Sequence, residues 1–125
     1  MSAEVRVRVP ASGEFLQVVR NVVAALAARA GCSVDVLADL RLAVDEAALR
    51  LLHDVPGAEG VVLEADRTGD ALSLSVAVDG PTDGWPGREL TSSMGWQILS
   101  ALVEGAEPTT TADGPAIVFR VPTRD

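Results

Sequence analysis

Residues 38–52, Ala38-Asp39-Leu40-Arg41-Leu42-Ala43-Val44-Asp45-Glu46-Ala47-Ala48-Leu49-Arg50-Leu51-Leu52, decide the fold. Leu40, Val44, Ala47, Ala48 and Leu51 recur at three- and four-residue intervals, so one helical stripe buries them together. Val36 and Leu37 extend that stripe towards Ser33, which reads as the N-cap, with Asp35 in the first turn where the helix dipole favours an acid. The helix is predicted to run to about His53 or Asp54, before the turn Pro56-Gly57. Glu46 and Arg50 stand one turn apart on one face, close enough to pair.

Outward from this helix, the chain alternates in pattern. Val5, Val7 and Val9 face one way and Glu4, Arg6 and Arg8 the other, a half-buried strand ended by Pro10. Ser12 is a candidate cap for a helix from Glu14 to Ala30, with Phe15, Val18, Val19, Val22, Val23 and Leu26 at helical spacing and Gly31 as its stop. Residues 60–66 and 71–78 read as a hairpin around Thr68-Gly69-Asp70, with Leu72, Leu74, Val76 and Val78 on one face. A loop of turn formers, residues 79–87, leads to a helical segment from Arg88 to Val103 with Met94, Ile98, Leu99 and Leu102 as its core stripe. Strands at about 106–111 and 116–121, joined by Asp113-Gly114-Pro115, close the chain. The order β-α-α-β-β-α-β-β predicts a single α+β domain over residues 1–125. It is a two-layer sandwich with a mixed or antiparallel sheet and helices on one face.

Bulk composition narrows the function. The 125 residues suffice to bury a core without disulfides or metal, and aromatics at 3% leave Val, Leu and Ala to build it. The net charge of −8 argues against direct nucleic-acid binding, which needs cations to neutralise phosphates, and suits a basic protein partner. No apolar run approaches the roughly 20 residues of a membrane span, and Met1 to Arg6 lack a signal-peptide shape. One cysteine, Cys32, excludes an internal disulfide, reads as a small residue before a helix, and fits the cytoplasm. His53 reads as a cation near a helix end, and no His, Cys and carboxylate cluster has metal-site spacing.

The run Leu40 to Ala47 resembles the helix bearing the nucleotide site in the RsbW-type anti-sigma factors and serine kinases, whose domain has the Bergerat (GHKL) ATPase fold. Ser93 to Val103 looks like that family's glycine-rich segment, and Val78-Asp79-Gly80 like its strand, acid and glycine. Arginine in place of the family's magnesium-holding asparagine is similar to actinobacterial anti-sigma-F factors. The resemblance implies Glu46 as a general base taking a proton from a serine hydroxyl, and nucleotide-binding positions at Arg50, Asp79, Gly80, Gly84 and Gly95. Asp79 would accept from an adenine amino group, and the helix start at Gly95 would receive an anion.

Several positions depart from the family pattern. Arg50 has donors only and stays charged, so it holds no metal; against one at 4 Å it is repulsive by roughly 4 kcal/mol at an intermediate dielectric. It is expected to pair with Glu46 instead; the bland alternative is an exposed helix pair contributing about 0.3–0.5 kcal/mol. Pro81 and Ser93 replace glycines, and Trp96, where the family has leucine, reads more simply as core packing. ATP or ADP is the cofactor implied, with magnesium disfavoured by Arg50. The leading expectation is a homodimeric anti-sigma factor that sequesters a stress- or sporulation-type sigma factor and yields it to a STAS-type anti-anti-sigma antagonist. The alternatives are an active serine kinase acting on that antagonist and a stand-alone nucleotide sensor. The interfaces are expected on the charged face of the first strand and on the first helix.

Overall fold

The structure, a computed structural model, describes residues 4–123. The elements are β1 (Val5–Pro10), α1 (Gly13–Arg29), α2 (Val34–Asp54), β2 (Gly60–Thr68), β3 (Ala71–Val78), α3 (Met94–Leu102), β4 (Glu104–Thr111) and β5 (Gly114–Pro122). The strands make one sheet in the order β1-β2-β3-β5-β4, and every neighbouring pair is antiparallel. The expected two-layer α+β arrangement is the one observed, with no parallel pair in the sheet.

Strand alternation sorts the sheet into two faces. Val61, Leu63, Ala65, Leu72, Leu74, Val76, Val78, Ile117, Phe119 and Val121 share the core with the helices. Helix α2 lies centrally, packed between α1 and α3 and against β3 and β5. It buries Leu40, Ala43, Val44, Ala47, Ala48 and Leu51, while Val36 and Leu37 are only partly covered near its start. Ser33 caps it, its hydroxyl accepting from the Val36 N–H at 3.2 Å.

The other two helices correct the sequence reading. Helix α1 buries Leu16, Val19, Val23 and Ala27, and leaves Phe15 and Val18 in solvent. Its apolar residues cover more of the circumference than a sheet can contact, and the small Ala27 and neighbouring Leu16 centre the contact stripe. Ser12 sits at the cap position with extended backbone, but its side chain makes no cap bond. The segment from Arg88 is not one helix. A short 3₁₀ turn at Leu90–Ser92 is broken at Ser93, whose extended backbone (ψ 153°) and hydroxyl start α3 by accepting from Trp96 N–H. The restart re-phases the buried face to Trp96 and Leu99, so Met94 and Ile98 point outward.

The second sheet face is closed by charge. Val62, Ala77 and Ala116 form a small buried row there. The Arg6 guanidinium reaches from β1 to the β4–β5 turn and donates to both oxygens of Asp113, at 2.8 and 2.6 Å. Because β2 and β3 lie between these elements, the pair bridges over the outer face. Gly114 (φ 125°) lets the turn lie against β3, since a Cβ there would collide with the Val78 carbonyl. The charged outer face of β1 is thus occupied by intramolecular pairs.

The Arg6 hydrogen bond lowers the Asp113 pKa; desolvation opposes it and the Arg6 charge adds to it. A depressed folded pKa means the pair stabilises fully above the unfolded carboxylate value of about 3.9, and that contribution fades as pH falls through the lower folded value. Asp113→Asn should therefore lower the melting temperature at neutral pH, with the gap to wild type closing as pH falls below the ordinary carboxylate range. A gap that stays constant down to pH 2 would refute this bridge. Thermal denaturation should also show a loss of about 1 kcal/mol in Ser33→Ala and about 2–5 kcal/mol in Leu51→Ala.

Candidate functional site

Helix α2 presents different residues on its two flanks because only its middle stripe is buried. Asp45 turns towards α1 and accepts from Arg20 Nε at 2.7 and 2.9 Å. Glu46 turns the other way, towards the start of α3. Its Oε2 lies 3.0 Å from where a Cβ on Gly95 would be. Glu46 and Gly95 are therefore brought together, two of the positions singled out from sequence. Among the described residues Glu46 takes no ion pair. Its carboxylate stands at the positive end of α3, whose first turn is also served by the Ser93 hydroxyl.

Arg50 does not pair with Glu46. Its Nε donates to Asp54 Oδ2 at 2.9 Å, one turn further along. Asp54 Oδ1 also lies 3.0 Å from His53 Nδ1, so one carboxylate serves two basic groups. The physical reason is competition: Asp54 offers Arg50 the same four-residue spacing as Glu46, on the side away from α3. No signal in the family pattern points to Asp54; the four-residue spacing Arg50-x-x-x-Asp54 does.

Arg50 and Asp54 form one wall of a cavity of about 310 Å³, closed on the other side by Gly84, Gly87, Arg88 and Glu89 from the β3–α3 loop. This loop is fastened by the Trp85 indole, which donates to the Thr109 carbonyl at 2.8 Å, and by Leu90, which is fully buried. Gly84 (φ 80°) supplies a left-handed backbone position within it.

Asp79 lies elsewhere. It follows Val78 on β3, and alternation sends Val78 into the core and Asp79 to the outer face. Its Oδ1 accepts from the backbone N–H of Glu59 (2.7 Å) and Gly60 (2.6 Å), and its Oδ2 from Arg8 (2.5 Å). Partial desolvation raises its pKa, but the bonds from Gly60, Arg8 and Glu59 outweigh this and hold the carboxyl below its ordinary range. Gly80 is a close-approach position, where a Cβ would meet the Val55 side chain at 2.5 Å. Asp79 and Gly80 thus brace the β2–β3 end of the sheet; neither lines the cavity beside Arg50.

These placements test what the site can hold. Arg50 has donors only and cannot itself ligate a metal, and among the described residues no group of three or more His, Cys, Asp or Glu is gathered as a metal cluster. The cavity is lined by two cations, Arg50 and Arg88, that could meet phosphate oxygens, and by two carboxylates, Asp54 and Glu89, that oppose them. Among the described residues no helix is long and apolar enough to cross a membrane.

No protein-family model matches the sequence, nor does any curated protein. Among solved structures the chain is similar to the catalytic domain of the histidine kinase ThkA in two nucleotide-free forms, with TM-scores of 0.49 and 0.48 and identities of 12% and 11%. Each alignment covers 96% of this chain and 98% of that one.

The Glu46–Gly95 approach predicts a coupling. Gly95→Ala should cost under about 1 kcal/mol, because the obstructing atom ends a flexible side chain. In a Glu46→Ala background the same change should become neutral or stabilising, since alanine is the better helix former by about 1 kcal/mol. Equal effects in both backgrounds, by chemical denaturation, would show that the two residues do not touch.

Proposed function

We propose that this chain is an anti-sigma factor: it binds and sequesters a stress- or sporulation-type sigma factor and is relieved by an anti-anti-sigma protein of STAS type. The Bergerat (GHKL) ATPase type is the reading of the fold that goes with it. The observation that carries the proposal is the Arg50–Asp54 pair in the wall of the cavity. A fixed, internally neutralised cation stands at the family's metal position, so the frame of a phosphotransfer site remains without its metal centre. Asp79, braced against Arg8, and Glu46, set at the start of α3, support the same reading. The match of Leu40 to Ala47 supplies the family, and the charge of −8 suits a basic sigma domain. Homodimerisation and a cytoplasmic location are parts of this proposal. ATP or ADP belongs to it as a weak, magnesium-independent ligand of the Arg50–Arg88 cavity.

The second reading is an active protein serine kinase. One observation favours it: the Glu46 carboxylate takes no ion pair among the described residues, as a general base requires.

Affinity capture with the tagged chain, with and without ATP, should recover a sigma factor in both conditions. Failure to recover any sigma factor would overturn the proposal. Incubation with magnesium, labelled ATP and a STAS-type antagonist should leave the antagonist unlabelled; serine phosphate that disappears in Glu46→Gln would establish the kinase instead. Arg50→Asn should raise magnesium–ATP affinity by about tenfold or more in calorimetry, the loss of roughly 1.4 kcal/mol of repulsion. An unchanged affinity would place Arg50 outside the nucleotide's reach.

A further inference from the structure

Seven large apolar side chains stand open to solvent among the described residues, and four of them lie on the neighbouring helices α2 and α3. On α2, Leu42 (45% exposed) lies one turn before Glu46 and Leu49 (53%) one turn after it. On α3, Met94 (78%) adjoins Gly95, and Ile98 (37%) lies one turn beyond Met94. The two helices meet where Glu46 Oε2 approaches Gly95. Residues one helical turn apart are about 5–6 Å from each other, so Leu42 and Leu49 flank Glu46 on α2, while Met94 and Ile98 stand on the first turns of the helix that its carboxylate approaches. Single exposed leucines are ordinary on protein surfaces; a gathered patch marks a place where something docks.

Charge says what docks there. Asp45 and Asp54, on either side of Glu46 along α2, each have their own arginine; Glu46 has none among the described residues. Asp39, two turns before Glu46, and Asp35, two turns before Leu42, are exposed on the same side of the helix and take no ion pair among the described residues. Among the described residues the basic groups of α2 nearest Glu46 are Arg50, one turn on and committed to Asp54, and His53 at the far end, also beside Asp54. The surface is therefore aliphatic and acidic, with a partly covered carboxylate at its centre. An amphipathic helix docks by laying its apolar face on such an aliphatic surface.

We propose that the α2–α3 seam docks an amphipathic helix of a partner protein, its aliphatic stripe on Leu42, Leu49, Met94 and Ile98 and one lysine or arginine on Glu46. This rests on the reading of the chain as a protein-binding regulator. It moves the docking site away from β1, and it gives Glu46 a binding role in place of a catalytic one.

The test uses the full chain and a synthetic helical peptide of about five turns, with leucine at the a and d positions and lysine flanking them, plus its glutamate-flanked counterpart. Calorimetry should show binding of the lysine peptide that weakens about tenfold or more in Leu49→Ser and Met94→Ser and about fivefold in Glu46→Gln, with unchanged melting temperatures. The glutamate peptide should not bind. Equal binding of the two peptides, or binding indifferent to all three substitutions, would overturn the proposal. So would sedimentation showing a wild-type dimer that Leu49→Ser and Met94→Ser turn into a monomer, because the seam would then be occupied by a second copy. A sigma factor captured equally by wild type and by Leu49→Ser/Met94→Ser sinks the docking site alone. Absence of any sigma factor, with peptide binding intact and sensitive to the substitutions, sinks the sigma-factor reading alone.

Discussion

Burial of one stripe of α2, from Leu40 to Leu51, against β3 and β5 is the constraint on which the rest of this molecule depends. A helix held by its middle stripe has two flanks and a crest, and the assignment of each polar residue follows from its angle to that stripe. Asp45 falls towards α1 and is met by Arg20. Glu46 falls towards α3 and is met by the Gly95 turn. Leu42 and Leu49 fall on the crest, with no contact to bury them. None of these fates is chosen residue by residue; all are consequences of which side chains anchor the helix to the sheet.

The same geometry sets the surroundings of the two charged residues on the flank of α2. The carboxylate at position 46 is kept near a helix N-terminus by packing alone. The cation at position 50 is neutralised by Asp54, a partner on its own helix, and so costs little to retain beside a polar cavity. A helix whose buried stripe is intact tolerates such changes on its flank, because neither residue contributes to the core.

Helix α2, the hairpin of β2 and β3, and the closing strands were legible in the sequence because their periods are clean. Period two in residues 71–78 and the Ser33 cap each have one physical solution. The stripe of α1 was less legible, since Phe15, Val18 and Val22 compete with Leu16 and Ala27 and only the sheet's position selects among them. The break at Ser93 was hidden by its apolar neighbours, although serine followed by a helical run is itself a cap signal. At the candidate site, Glu46 and Gly95 come together, but Asp79 does not join them. Its place one residue past the inward-facing Val78 sends it to the opposite face of the sheet.

By itself, the sequence determined the element types and their order, the α+β class, and the residue at the centre of the decisive helix. These depend on local periodicity and capping, which act within a few residues. Only the tertiary structure decided the pairings, Arg50 with Asp54, Asp79 with Arg8 and the Gly60 backbone, and Arg6 with Asp113, and which large apolar side chains of α2 and α3 stay exposed. Charged side chains are long and promiscuous, so their partners depend on distances between elements far apart in the chain, and those distances exist only once the helices have settled on the sheet.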